Sequence, residues 1–278
     1  MSGVKTNLAF KITNWCNLQC RHCCEKSGPN QPQHLMELDK IKKYMSEFRT
    51  IPMDKDSVVS FTGGEVMTPY FIGDEKYIQD CIKIAFNNSF TPALKTNGVW
   101  GANEPLRYRI LAGIVDTAIS SNKLVEMDIS VDRFHNNFGA VAEILDTVLN
   151  EPILAQHLVI TLQGLYKNST MAARDLYMAL LSHHIDISVK NDTANCVLLT
   201  NGSHDLQVYY NFNQAIADLG RAAENKLGTF KLTGKSDIFG DCVMIDADDR
   251  LRLNVTRAIK IKGRPLDVCI QKLKEKTK

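Results

Sequence analysis

The stretch NWCNLQCRHCCEK, residues 14–26, places four cysteines within nine residues. Thiolates at this density hold a metal or a cluster, pair as disulfides, or are incidental. Cys16, Cys20 and Cys23 form C-x3-C-x2-C, with Cys24 directly beside Cys23. Adjacent residues rarely reach one cluster from a short loop, so Cys24 reads as a small buried bystander, as does Cys81 on its helix stripe. A structural zinc site calls for four closed ligands, typically as two C-x2-C pairs; no second pair lies nearby, although His22 sits inside the loop and His34 beyond it. An ordinary electron-transfer cluster takes four thiolates. Three thiolates around a four-iron cubane leave one iron open, the arrangement of a cluster that binds and acts on a ligand.

Further polar groups recur downstream: TGGE at 62–65, KTNG at 95–98 and SVDRFH at 130–135. Singly, each is an ordinary turn signal. Their meaning depends on the elements that carry them. Hydrophobic periodicity predicts strands at 8–13 (LAFKIT), 57–65, 93–98, 125–132, 158–164 and 185–190 (IDISVK). Helices are expected at 34–48, 77–86, 105–120, 138–149 and 169–183. Strands alternating with helices of this length mean βαβ crossovers and a parallel sheet. The expected fold is α/β, a partial (β/α)6 TIM-type barrel over residues 1–192, with a small α+β C-terminal cap over 193–278. Working sites in such folds lie at the carboxyl ends of the strands, and the cysteine loop, TGGE, TNG and SVDRFH all fall there.

Strands four, five and six alternate polar and apolar side chains: Asp128, Ser130, Asp132; Thr161, Gln163; Asp186, Ser188, Lys190. Under crossover helices the outer face must be apolar, so the polar set is expected to line a cavity for a polar ligand. After residue 190 the rhythm fails; a helix near 212–223 and a hairpin in GDCVMIDADDRLRLNV are expected.

With 44% hydrophobic and 23% charged residues the composition is that of an ordinary globular protein. No apolar run is long enough to cross a bilayer, and the amino terminus lacks the layout of a secretion signal. A cytoplasmic address, where thiols stay reduced, is expected. The net charge of +2 argues against bulk capture of nucleic acid, although residues 250–278 carry ten Lys or Arg against two acids.

The segment CNLQCRHC directly after a first strand resembles the signature of the radical S-adenosylmethionine (radical SAM) superfamily. The resemblance continues through TGGE, KTNG and ISVD and covers roughly residues 7–190. It implies an oxygen-sensitive enzyme in which Cys16, Cys20 and Cys23 hold a [4Fe-4S] cluster whose open iron chelates SAM. One-electron cleavage of SAM then yields a 5′-deoxyadenosyl radical that abstracts hydrogen from the substrate. By the same resemblance Gly63 and Gly64 permit close backbone approach, Glu65 accepts hydrogen bonds from the SAM ammonium, and Thr96 and Ser130 serve the carboxylate and ribose. Asn97 supports that turn, His22 takes the aromatic position of the motif, and Gln163 with Gly164 lies near the adenosine. An electron donor such as flavodoxin or ferredoxin is implied.

The GRA segment at 220–222 before the Cys242 hairpin is similar to the SPASM and twitch extensions of some members. Only Cys196, Cys242 and Cys269 remain there, so a degenerate extension is expected and an auxiliary cluster is not. With strand one beginning by Leu8, no leader-binding domain is expected ahead of it. The expected substrate is therefore small and polar, a nucleoside or nucleotide being one fit, with Asp132, His135, Asp186, Ser188 and Lys190 as contacts; His135 could equally be a helix-start residue. A peptide- or protein-modifying maturase is the alternative, and a non-catalytic iron–sulfur or zinc protein the competing class.

Overall fold

The computed structural model describes residues 5–165, 169–191, 195–214, 219–228, 242–253 and 257–277. Its elements run β1 (Thr6–Lys11), α1 (Leu38–Thr50), β2 (Lys55–Thr62), α2 (Thr68–Ile72), α3 (Lys76–Asn87), β3 (Thr91–Thr96), α4 (Glu104–Ser121), β4 (Val125–Ser130), α5 (Phe138–Asn150), α6 (Pro152–His157), β5 (Leu158–Leu165) and α7 (Ser169–Ser182). They continue with β6 (Asp186–Asn191), β7 (Cys196–Thr200), β8 (Asp205–Gln214), α8 (Gly220–Glu224), β9 (Cys242–Asp246), β10 (Arg250–Leu253), β11 (Arg257–Lys260) and α9 (Leu266–Thr277). The alternation expected from periodicity holds through α7, because each helix carries one apolar stripe and each strand an apolar run.

The chain divides into two compact units: Met1–Gln19, Glu25–Ala93 and Phe230–Lys278 form one, Cys20–Cys24 and Leu94–Thr229 the other. The segment expected as a C-terminal extension is thus shared between them.

In the first unit β1 pairs in parallel with β2 on one side and with β9 on the other. The hairpin of β9 and β10 forms as the alternation predicts, and β11 extends it antiparallel. β9 also covers the free edge of β1, which would otherwise expose unpaired backbone groups. Phe10 and Phe61 stack at 5.9 Å between ring centroids, and Ile41, Met45 and Phe48 of α1 are fully buried.

In the second unit β4 pairs in parallel with β5, and β5 with β8. β7 and β6 then follow antiparallel. This corrects the expectation that IDISVK closes the parallel series. β8 takes the place beside β5, and β6 lies at the far edge with Asp186 and Ser188 exposed. The side chain of Lys190 lies outside the described residues. The expected helix from 212 is likewise a strand as far as Gln214; the alternating aromatic run VYYNF favours a pleated surface over a helix.

Register puts like faces together. Met127, Ile129, Ile160, Leu162 and Val208 are buried on one face. On that side α7 and the strands enclose an apolar cavity of about 230 Å³ lined by Leu162, Leu176, Leu180, Tyr210 and Phe212. The opposite face is polar. Asp128 stands beside Thr161 and Thr161 beside Tyr209; Ser130 stands beside Gln163 and Gln163 beside Asn211.

Candidate functional site

The first unit carries Cys16 and the TGGE turn. Cys16 is buried; its Sγ accepts the Leu18 N–H at 3.4 Å, and its own N–H donates to the Gly28 carbonyl at 3.3 Å. The turn is laid directly on the start of the cysteine loop. Gly64 N–H donates to the Thr13 carbonyl and Glu65 N–H to the Trp15 carbonyl, both at 2.9 Å. That approach requires glycine: a Cβ on Gly64 would lie 1.8 Å from the Trp15 oxygen, and one on Gly63 2.7 Å from the Thr13 oxygen. Glu65 is fully buried, with Oε1 accepting the Met67 N–H at 3.0 Å. A carboxylate in that position is stable only where donors or a cation answer it.

Below this turn, Lys11, 3% exposed, binds Glu25 at 2.8 Å. Arg252 reaches both oxygens of Glu25, at 3.2 and 3.0 Å, and Asp246 at 3.4 Å. Burial raises the Glu25 pKa, but Lys11 and Arg252 outweigh it and hold the carboxyl below its usual range. Part of the basic C-terminal segment is therefore internally paired.

The second unit carries the remaining members. Thr96 is buried, and its hydroxyl accepts from Gly98 N–H at 3.2 Å and Trp100 Nε1 at 2.8 Å. Asn97 Oδ1 accepts the Val99 N–H at 3.0 Å. Gly98 adopts φ +68°, where a side chain would strike Ile129. Asn137, which sequence reading missed, donates from Nδ2 to the carbonyls of Asn97 and Ser130 and so ties the ends of β3 and β4 together. Only its position, just ahead of a predicted helix, could have drawn notice to it. Its Oδ1 is buried without a hydrogen-bond partner among the described residues. Gln163 binds Gln214 at 2.7 Å, and Gly164 sits where a Cβ would meet Phe212.

Cys20, His22 and Cys23 are partly buried, whereas Cys24 is exposed, which corrects its reading as a buried filler; Cys81 is fully buried as expected. His22, Asp132 and His135 gather with one donor atom each within 4.8 Å of one another. Asp132 Oδ2 lies 2.9 Å from His135 Nδ1 and 3.9 Å from His22 Nε2. Its Oδ1 accepts the N–H groups of Phe134 and His135 at 2.8 and 3.0 Å. His135 is thus a turn residue ahead of α5, bound to Asp132. Burial alone would lower its pKa, but hydrogen bonds to Asp132 and to the Cys20 side chain raise it to about 10. His22 is moved the other way, to about 4, by burial first, with Asp132 opposing and His135 and Arg221 assisting. Its Nδ1 is buried without a hydrogen-bond partner among the described residues, and its ring lies 4.6 Å from Phe134.

Cys20 and Cys23 are also held through their backbone by α8. Arg221 Nε donates to the Cys20 carbonyl at 2.8 Å and Arg221 N–H to the Cys23 carbonyl at 2.9 Å. The sequence signal for this was GRA itself.

The family model of the radical SAM superfamily matches residues 10–150. The solved structure of a histidine-tagged anSMEcpe with bound AdoMet is similar over 98% of this chain and 77% of that chain, at 13% identity and a TM-score of 0.50. Native anSMEcpe with bound AdoMet and Cp18Cys peptide is similar over 98% of this chain and 80% of that one, at 11% identity and a TM-score of 0.48. The first likeness shows a shared fold. No curated protein matches the chain.

Proposed function

The chain belongs to the radical SAM superfamily, and we propose that it abstracts hydrogen from a small polar molecule held over the polar face of β4, β5 and β8. The observation that carries this substrate class is the pair of polar rows, Asp128–Thr161–Tyr209 and Ser130–Gln163–Asn211, fixed by strand register. Lys95 adds a cation to the first row, 2.6 Å from Asp128. A sheet face packed against helices would carry branched aliphatics; this one offers hydrogen-bond donors and acceptors.

Cys16, Cys20 and Cys23 would hold the [4Fe-4S] cluster, and the residues present suit it and SAM. None of the three cysteines is in a disulfide, Glu65 supplies a buried carboxylate for an ammonium, and His22 and Asn137 each keep a buried polar atom unanswered among the described residues. When bound, cluster and SAM supply one-electron cleavage of a carbon–sulfur bond and the hydrogen abstraction that follows. The protein's own part is placement. Gly63 and Gly64 admit close approach by backbone groups, Glu65 would accept from the ammonium, Thr96 and Ser130 would receive carboxylate and ribose, and Asn97 shapes the turn after β3. His22 and Gln163 would serve the adenine and adenosine. An electron donor such as flavodoxin or ferredoxin would deliver the electron.

Anaerobic reconstitution tests this. The reading expects about four irons per chain, a cluster spectrum perturbed by SAM, and reductant-dependent 5′-deoxyadenosine. Cys20→Ala removes all three, and Cys24→Ala keeps them. Deuterium should pass into 5′-deoxyadenosine from a labelled pool of polar metabolites. Bound zinc, or intact SAM under strong reductant, overturns the chemistry; deuterium arriving only from peptides overturns the substrate class.

A further inference from the structure

We propose that α8 is a clasp on the cysteine loop: Gly220, Arg221 and Asn225 hold the backbone of residues 20–24 in the shape that presents the Cys20 and Cys23 thiols. Its consequence for a bound cluster rests on the function proposed above.

No helix or strand lies between β1 and α1, so the carbonyls of this loop must find partners outside a regular ladder. One short segment, two hundred residues later in the chain, supplies three of them. Arg221 takes the Cys20 oxygen with its side chain and the Cys23 oxygen with its backbone. Asn225 Nδ2 takes the oxygen of Arg21 at 3.2 Å, and the Arg21 Nε donates back to Asn225 Oδ1 at 3.4 Å. The same Nδ2 lies 2.8 Å from the Arg221 carbonyl, which braces Asn225 against its own helix.

The fit depends on what is missing at the helix start. Gly220 has φ +54°, and a Cβ there would stand 2.4 Å from the Cys24 oxygen and 2.8 Å from the Cys23 oxygen. Ala222 is fully buried and clusters with Leu165, with Phe134 packed against them. The clasp is thereby fixed to the end of β5 and to the turn that carries Asp132 and His135. Within GRA the glycine allows close approach, the arginine supplies hydrogen bonds and the alanine provides anchorage. Arg221 is a positioning residue, since it acts on the ligands through the carbonyls of their own backbone. Its value is to order ligands before a cluster arrives, so that less chain entropy is lost on binding.

Two measurements on the full chain test this. In metal-free protein, hydrogen exchange of amides 20–25 should quicken roughly tenfold in Arg221→Ala, as expected for the loss of a charged hydrogen bond, and also in Gly220→Ala, whose Cβ would push the Cys23 and Cys24 carbonyls away. Exchange in α1 and α3 should not change. In reconstituted protein, iron release to a ferrous chelator should quicken by a similar factor, and Arg221→Lys, which keeps one donor, should fall between. Unchanged exchange at 20–25 in Arg221→Ala overturns the clasp. Faster exchange with unchanged iron release overturns its role in holding a cluster. A general loss of protection in Arg221→Ala would make the residue a plain stabiliser, unless Arg221→Lys and Asn225→Ala fold and loosen only the loop. Should wild-type protein take up no four-iron cluster, the proposed function fails, and the exchange experiment still decides the clasp.

Discussion

Asp132 Oδ2 lies 2.9 Å from His135 Nδ1, and both side chains are almost wholly enclosed, at 3% and 12% exposure. Burial pushes the Asp132 carboxyl up, but His135 draws it below its ordinary value, while the histidine rises to about 10. The pair is therefore ionic at neutral pH. Both residues, expected as substrate contacts, are bound to one another in the structure. Asp132→Ala leaves a buried imidazolium without its anion, a loss on the order of 3–5 kcal/mol for a broken buried pair. Denaturant unfolding of the metal-free chain should show the unfolding free energy falling by that amount, as a lowered midpoint with an unchanged slope. His135→Ala should cost a similar sum, and the double variant much less than both together.

His135 also hydrogen-bonds the Cys20 side chain. Hydrogen bonds to cluster sulfur stabilise the more negative, reduced state and raise the reduction potential. In His135→Phe the potential of the reconstituted cluster should move negative. An EPR-monitored redox titration checks this. The iron content of the variant should stay that of the wild type, since His135 is not a ligand; a potential unchanged in a fully loaded variant would remove the tuning role.

Why some of this was readable in sequence and some was not follows from the range of the forces. Helix α4 was placed within a residue at each end of Glu104–Ser121, because Asn103 caps it through the Leu106 N–H at 3.0 Å and Pro105 sits in its first turn. Gly64 and Glu65 stood out because backbone approach and acid chemistry leave short local signatures. The place of β6 did not. Its alternation is as regular as that of β5, and nothing local tells an edge strand from one beside β5; the long return through β7 to β8 decides it. Asn137 was hidden too, since a single polar residue says nothing of a carbonyl forty positions away; GRA was legible as a motif, but not that its arginine meets a carbonyl two hundred positions earlier.

The two glycines of TGGE should differ from other glycines in a graded way. A Cβ at Gly64 meets backbone at 1.8 Å, one at Gly63 meets backbone at 2.7 Å, and one at Gly73 meets nothing within 4 Å, though φ there is +80°. Gly73→Ala should cost only the left-handed strain of about 1–2 kcal/mol. Gly63→Ala carries no such strain but costs overpacking against backbone of roughly 1–3 kcal/mol, and Gly64→Ala should be the most damaging of the three. Melting temperatures of the metal-free variants give the order. Gly64→Ala should in addition lower the iron retained after reconstitution, which Gly73→Ala should not.

Tyr44 of α1 donates its hydroxyl to the Asp249 carboxylate in the turn between β9 and β10. Losing a hydrogen bond to a charged group costs about 1.5–3 kcal/mol, and Tyr44→Phe should lower stability by that amount at pH 7. The pH dependence carries the sharper signature. Burial, and then the hydrogen bond and charge of Asp249, raise the folded pKa of Tyr44 far above its ordinary value. Below about pH 10 the phenol keeps its proton in both states, and its contribution is fully present. Above that, the unfolded chain sheds the proton while the folded chain holds it, so the unfolded state binds fewer protons and stability falls as pH rises. Tyr77, whose hydroxyl donates to the Met36 carbonyl at 2.6 Å, and Cys81 are raised too and act in the same direction. Tyr44→Phe should therefore lessen the alkaline slope by about one proton, roughly 1.4 kcal/mol per pH unit, and not abolish it. Urea titrations between pH 7 and 11 would show the variant and the parent converging; parallel curves would mean that the Tyr44 hydroxyl keeps no special hold on its proton.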